Sequence, residues 1–361
     1  MPVDCIADLQ QIDALKSDWN RIYRADAHAQ IFLSWAWLRA HLPTMRRRWF
    51  ILAYRAGVDA PYSALLPLAS ESFPAGSALL NRDLYLMGSP YADYTGLLAD
   101  PAGEEVALRE FGRHLRGEAW DNFYAADVMD PRLGRLMKAL ADKDAQLVDR
   151  GRTTCPFIPL PSTWDEYLRG YLTKHFRAVL KSRIRRIESL PGFRAVAFDA
   201  DNVRFHIDKT LEFAQHRRPN SPGYRKDQRT LLLNCFASGS LWGLALWCER
   251  GLLSTVIAFP DRCKGEFAVY KVAFNPAFAS LSPGTAILGL SIKYAIENGF
   301  RVYDFTRGAE RYKFLFAKQI RHTYHLSVTR PSVRCAIGNA VRPLIRMPVR
   351  LTEKLLSHRP A

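Results

Sequence analysis

Acidic residues are scarce in this chain: 35 Asp and Glu stand against 51 Lys and Arg, a formal charge of +16 over 361 residues. An excess of that size points to a polyanionic partner (nucleic acid, an anionic membrane surface or acidic substrates) or to solvated, arginine-rich helix faces. Cysteine is sparse and scattered. Cys5, Cys155, Cys235, Cys248, Cys263 and Cys335 form no C-x-x-C pair, which argues against a zinc site or a disulfide framework and leaves reduced thiols and no metal as the expectation. Long apolar runs are also missing: residues 252–259 form one of the longest, too short to span a bilayer. Residues 1–15 carry Asp4, Asp8 and Asp13 with no basic residue before Lys16, unlike a signal peptide, so a cytoplasmic protein is expected.

With 48% hydrophobic and 24% charged residues, the composition is globular and long enough for two cores. Hydrophobic patterning gives two halves with the same order of elements. In the first, a helix over 32–42 opens at Ser34, β-like runs follow at 49–54, 62–69 and 84–88, then a helix at 103–115, a strand at 122–128, a short helix after Pro131 and extended chain over 146–158. In the second, a helix at 202–216 precedes a hairpin of 241–248 and 252–259. A strand at 267–274, a helix at 285–298 ended by Gly299, and strands at 301–306 and 322–329 complete it. Hairpin, strand, helix, strand recurs without residue-level identity. The implied domains are 1–160, a basic linker helix within 161–200 packed across both halves, a working domain at 201–330 and a basic tail at 331–361.

The basic residues concentrate in two places: Arg169, Lys174, Arg177, Lys181, Arg183, Arg185 and Arg186, and the tail with Arg334, Arg342, Arg346, Arg350, Lys354 and Arg359. In the tail, arginines at four-residue spacing alternate with apolar residues, interrupted by Pro343 and Pro348. Such a broken basic amphipathic segment suits an anionic membrane surface, peripheral to the inner membrane. Trp35, Trp37, Trp242 and Trp247 read as core.

Chemistry gathers between Val269 and Lys313. A buried strand ends near Pro276, and Ser282-Pro283-Gly284 leads into a helix starting near Thr285. A helix N-terminus presents free N–H groups and partial positive charge to a phosphate, and glycine permits close approach. A plain capping turn gives the same pattern. After the helix, Asp304 stands between apolar neighbours on a strand and is followed by Arg307, Glu310, Tyr312 and Lys313. A buried acid must be paired or used, so Asp304 is either a catalytic base or half of an ion pair with Arg307 or Lys313. His216 ends a helix and is a candidate for the acceptor cleft. His322 and His325, three apart on a strand, point to opposite faces and do not suggest a metal pair.

S-P-G, a helix, and then N-G-F-x-x-Y-D-F-x-R-G-x-E-x-Y-K over 298–313 resemble the acetyltransferases of bacterial cellulose and exopolysaccharide synthesis, the CelD-like group of the GNAT superfamily. F-L-S-W-A-W-L-R at 32–39 and the basic helix at 174–188 are similar to the same group. The resemblance implies a mixed α/β fold of tandem GNAT-like domains, each a mixed sheet flanked by helices and related to Fem-type aminoacyltransferases. It further implies acetyl-CoA or another acyl-CoA as cosubstrate. The [QR]-x-x-G-x-[GA] loop of that superfamily falls on residues 281–286, placing Ser282, Gly284, Thr285 and Ala286 at the cofactor, with Leu281 where Gln or Arg is usual. Direct acyl transfer then needs a base, an acid and oxyanion donors. Asp304 and Glu310 are candidate bases, Tyr312 or Tyr270 candidate acids, and Arg307, Lys313, Tyr270 and His216 candidate substrate contacts. The expected acceptor is a saccharide or lipid-linked intermediate. Two alternatives stay open: a Fem-like enzyme using aminoacyl-tRNA, whose phosphates the basic helix would suit, and a non-catalytic scaffold of polysaccharide assembly.

Overall fold

The computed structural model describes residues 2–75, 78–141, 145–215 and 221–330, with Val333, 335–337 and Ala340 beyond them. His216 and most of the basic tail lie outside the described residues. The first half builds β1 (Val3–Ile6), α1 (Leu9–Ala14), α2 (Lys16–Ala25), α3 (Trp35–His41), β2 (Arg48–Tyr54), β3 (Ala64–Ala75), β4 (Ala78–Leu86), β5 (Leu98–Ala99), α4 (Glu104–Gly117), β6 (Asn122–Val128), α5 (Pro131–Leu140) and β7 (Gln146–Pro159). The second builds α6 (Trp164–Gly170), α7 (Lys174–Glu188), β8 (Arg194–Ala197), α8 (Val203–Gln215), α9 (Pro222–Ala237), β9 (Trp242–Cys248), β10 (Gly251–Asp261), β11 (Glu266–Phe274), α10 (Pro283–Glu297), β12 (Val302–Asp304), α11 (Lys313–Phe316) and β13 (Gln319–Thr329).

Local chemistry accounts for many of these boundaries. Ser34 caps α3 by accepting from the Trp37 amide, and Thr163 and Glu166 form a reciprocal capping box on α6. Strand β10 is buried on both faces and mostly apolar, with Ser254, Thr255 and Asp261 as its buried polar residues. Gly299, at φ +73°, follows α10 in the left-handed conformation that glycine adopts without strain.

All thirteen strands join one mixed sheet in the order β1-β2-β3-β4-β6-β13-β7-β12-β11-β10-β9-β8, with β5 on β3. The order is nearly palindromic. Each half has an edge strand, an antiparallel meander and one parallel pair, β4 with β6 and β11 with β12. At the centre the halves exchange strands: β7 of the first pairs with β12, and β13 of the second lies between β6 and β7. Breaking the halves apart would therefore sever three strand pairings, β6 with β13, β13 with β7 and β7 with β12.

The cores follow the same logic. One face of each half has its own apolar cluster, around Phe111 and Leu133 in the first and Leu180, Ile292 and Phe267 in the second. On the other face a shared cluster unites Trp19, Phe32 and Trp37 with Leu231, Leu232 and Phe259. Trp19 and Trp37 are fully buried; such side chains each contribute about 3 kcal/mol by burial. Trp35, Trp242 and Trp247 pack, partly buried, against the clusters. The basic helix α7 buries Phe176, Leu180 and Ile187 in the second half's cluster and leaves Lys174, Lys181 and Arg185 exposed. Among the described residues no helix is long and apolar enough to cross a membrane.

Candidate functional site

Strands β11 and β12 are paired only over Glu266–Ala268 and Val302–Asp304. Beyond that they part, and among the described residues β11 from Val269 to Phe274 has a strand partner, β10, on one edge alone. The splay holds a cavity of about 190 Å³ lined by Val272, Phe274, Ser282, Gly284, Thr285 and Tyr312. A second cavity, about 340 Å³, shares Val272 and Tyr312 with it as lining residues and is bounded also by the first half. Tyr91 and Asp93 of the first half and Tyr270, Arg307, Glu310 and Lys313 of the second line it.

Backbone strain marks the same place. Among the described residues the non-glycine positions with left-handed φ are Asp127 (59°), Ser282 (53°) and Thr306 (56°). Each such position costs of order 1 kcal/mol and persists only where the surroundings enforce it. Ser282 precedes α10, Thr306 precedes Arg307, and Asp127 accepts from Arg307.

Ser282 caps α10 through its backbone alone. Thr285 and Ala286 donate their amides to the Ser282 carbonyl, Pro283 has no N–H, and no acidic residue stands in the first turn. Thr285 Oγ1 accepts from Arg183 of α7 at 3.0 Å. Arg183 thus delivers to this helix start the cation that Leu281 does not supply. The Ala286 side chain is buried, and a Cβ at Gly284 would meet the Phe274 ring at 3.3 Å.

Asp304 is fully buried and does not line either cavity. Its Oδ1 accepts from Tyr94 (3.0 Å) and the Thr306 amide (2.9 Å), and its Oδ2 from Arg321 (2.5 Å). The ion-pair partner is therefore Arg321 of β13, not Arg307 or Lys313, because the strand exchange carries β13 alongside β7, the neighbour of β12. Arg321 also reaches Glu266 at 3.2 Å. Burial pulls the Arg321 guanidinium down, but Asp304, Tyr94 and Glu266 outweigh it and hold it well above its usual range.

Arg307 is claimed by the first half. It donates to Asp93 at 2.7 Å, to Asp127, and to the Pro90 carbonyl at 3.4 Å. Burial lowers its pKa, Asp93 and Asp127 raise it, and the carboxylates win. Burial raises the Asp127 carboxyl above its ordinary value despite Arg307 and His325. Lys313 donates to the Arg307 carbonyl at 2.6 Å and pairs with Glu310 at 3.0 Å. Glu310 remains one-third exposed at the cleft. Tyr312 borders both cavities. Tyr270 donates to the Tyr91 carbonyl at 3.0 Å, and burial, with Tyr224 and Asp93 nearby, lifts its pKa well above the ordinary value.

The structure thus gathers Tyr270, Arg307, Glu310, Tyr312 and Lys313 around one cleft, and Ser282, Gly284 and Thr285 around the adjacent cavity. Sequence reasoning missed Tyr91, Asp93, Tyr94 and Asp127, which come from the other half, and Arg321 and Gln228. The run P-Y-A-D-Y at 90–94, polar and aromatic between apolar segments, was the available signal. His325 pairs with Thr153 (2.8 Å) and takes the Asp127 amide (3.3 Å); among the described residues no group is arranged to hold a metal ion.

Residues 174–314 match the family model described as an acetyltransferase (GNAT) domain. No curated protein matches the chain in sequence. Among solved structures it is similar to FemX, with TM-score 0.62 at 11% identity over 94% of this chain and 99% of that one. A tandem GNAT protein of the clavulanic acid biosynthesis pathway gives 0.50 at 13%, covering 91% and 99%. The L-PGS of Bacillus licheniformis gives 0.54 at 11%, covering 93% and 97%. At such identities the likeness is one of fold, a tandem of GNAT-like units, and the matched segment contains the splay, α10 and the Asp304–Lys313 run. Residues 174–314 of the second half thus match a GNAT acetyltransferase domain, the match by which the chain is classed with acyltransferases.

Proposed function

We propose that the protein transfers an acyl group from acetyl-CoA or another acyl-CoA to a saccharide or lipid-linked acceptor, as in exopolysaccharide synthesis. The observation that carries this reading is the pair of adjacent cavities that share Val272 and Tyr312, one at the acid-free start of α10 and the other between the halves. Bound at the first, acyl-CoA supplies the thioester. The Gly284 amide and the Ser282 and Thr285 hydroxyls, with Arg183 beside them and buried Ala286 behind, form the pyrophosphate end. The unpaired edge of β11 offers backbone amides to the developing oxyanion. In the second cavity the acceptor's nitrogen or oxygen attacks the carbonyl carbon while Glu310, held by Lys313, takes its proton. The C–S bond breaks, and Tyr312 protonates the departing thiolate. Arg307, Lys313 and Tyr270 shape the acceptor wall, and Asp304 braces the seam. Orientation alone supplies much of the rate.

A second reading, an aminoacyl-tRNA-dependent transfer, draws on the exposed face of α7, where Lys174, Arg177, Lys181 and Arg185 border a shallow groove. One experiment separates them. Isothermal titration should show acetyl-CoA binding that Arg183→Gln weakens about tenfold at unchanged melting temperature. Absent binding of acetyl-CoA alongside tight, salt-sensitive binding of aminoacyl-tRNA would overturn the first reading in favour of the second.

A further inference from the structure

A third cavity, about 690 Å³, adjoins the cleft and shares Pro90, Tyr91 and Tyr224 with it. Two residues that line these cavities, Gln228 at the cleft and His41 at the third cavity, are each 1% exposed and carry a buried side-chain atom without a hydrogen-bond partner, Gln228 Oε1 and His41 Nε2. Their orientations follow from their neighbours. Tyr270 spends its only proton on the Tyr91 carbonyl (3.0 Å), so it can only accept from Gln228, and the atom 3.3 Å away must be Nε2. That leaves Oε1 bare. Thr44 likewise spends its proton on the His41 carbonyl (2.8 Å), so His41 Nδ1, 2.8 Å away, must carry the hydrogen. Burial pushes the imidazole down to about 4, against the opposing pull of Asp227, so the ring is neutral and Nε2 keeps its lone pair.

Two hydroxyl–carbonyl locks therefore hold two bare acceptors at neighbouring cavities. An unpaired acceptor in a closed site costs about 1–3 kcal/mol, and a ligand donor that fills it recovers that cost. Both atoms are shielded from solvent, and the shared wall is Tyr91, edge-on to His41 at 5.5 Å and stacked on Tyr224 at 4.9 Å. Four serines, Ser70, Ser72, Ser89 and Ser221, add hydroxyls around the third cavity.

We propose that Gln228 and His41 are specificity residues for the acyl acceptor, each accepting one hydrogen bond from a polyhydroxylated compound that spans the cleft and the third cavity. The proposal rests on the acyltransferase reading above and adds which chemistry the acceptor must present: at least two O–H or N–H donors. The competing occupant is water, since Trp37 Nε1, beside His41, also lacks a partner.

Isothermal titration of the full chain with glucosamine, and with cyclohexylamine as an amine of the same ring size without hydroxyls, decides between them. Glucosamine should bind at least about tenfold more tightly than cyclohexylamine, and the near-isosteric Gln228→Met should weaken it about tenfold with acetyl-CoA affinity unchanged. His41→Phe should do the same, and if it does not fold, Gln228→Met carries the test. Equal binding of the two amines overturns the proposal. So does a variant that loses melting temperature but keeps its glucosamine affinity, because the bare atoms then hold structural water. A wild type that binds glucosamine but no acetyl-CoA would defeat the donor reading and leave this one standing.

Discussion

The two halves share a fold but differ where each parallel strand pair opens toward a helix. In the second half β11 leads through Asn275 and Ser282 into α10, whose first turn holds no acid. In the first half β4 leads through a longer segment to α4, whose first turn is Glu104 and Glu105. Those carboxylates neutralise the helix start themselves and pair with Arg132 and Arg135. Burial pushes the Glu104 carboxyl up, but Arg135 and Arg132 outweigh it and hold it below the usual range. The connecting segment also fills the opening. Thr95 bridges to Val128, and Asp93 and Tyr94 reach across the seam to Arg307 and Asp304. One copy of the fold has an acid-free helix start, while in the other the same region forms a wall against its sister.

The largest effect should come from the polar core of the wall-forming half. Arg132, 1% exposed, donates to Asp130 (2.7 Å) and Asp26 (2.8 Å). Arg132→Met leaves two buried carboxylates without their cation and should cost about 3–5 kcal/mol in chemical denaturation. Acetyl-CoA affinity of the folded variant should hold. A matching loss of affinity would mean that the first half contributes directly to the donor site.

A smaller effect is expected at the seam. Asp304→Asn keeps an acceptor for Tyr94 and the Thr306 amide but removes the charge facing Arg321, which retains Glu266. The expected cost is about 2 kcal/mol, with turnover reduced less than about tenfold. Unchanged stability with a collapse in kcat would make Asp304 the base after all and shift the chemistry from the cleft into the seam.

Periodicity within one segment was enough to read most elements. The alternation of 122–128, the apolar hairpin at 241–259 and the capped start at Ser34 reappear within a few residues. The tandem arrangement was legible because the order of elements repeats. Short edge strands were not: Val3–Ile6 and Arg194–Ala197 are too brief to show a period, and the second lies in the stretch read as a linker. Nor was α9, whose apolar residues form no single stripe because it packs on several elements at once. The site was half legible. Ser282 to Lys313 is local, so its spacing could be read, whereas the partners of Asp304 and Arg307 come from strand exchange and from residues 90–127, and no local pattern encodes which arginine meets which carboxylate.

The smallest effect tests the comparison most directly. Glu104→Gln with Glu105→Gln removes the acids from the start of α4, making its charge resemble that of α10. A carboxylate at such a position is worth about 0.3–1 kcal/mol; Glu105 is exposed and Glu104 half-buried, and Arg132 keeps Asp26 and Asp130 when Glu104 is neutralised. Stability should therefore fall by about 1 kcal/mol. If charge alone separated the two helix starts, the double variant would acquire a second acetyl-CoA site. We expect the titration to end at a single equivalent, because residues 88–96 still occupy the first half's opening: Gly88, at φ +102°, turns the chain back so tightly that a Cβ there would sit 2.8 Å from Ala92. Isothermal titration reads the stoichiometry. A second equivalent, abolished again by restoring Glu104, would show that the first half lost its donor site to two carboxylates rather than to the segment that fills it.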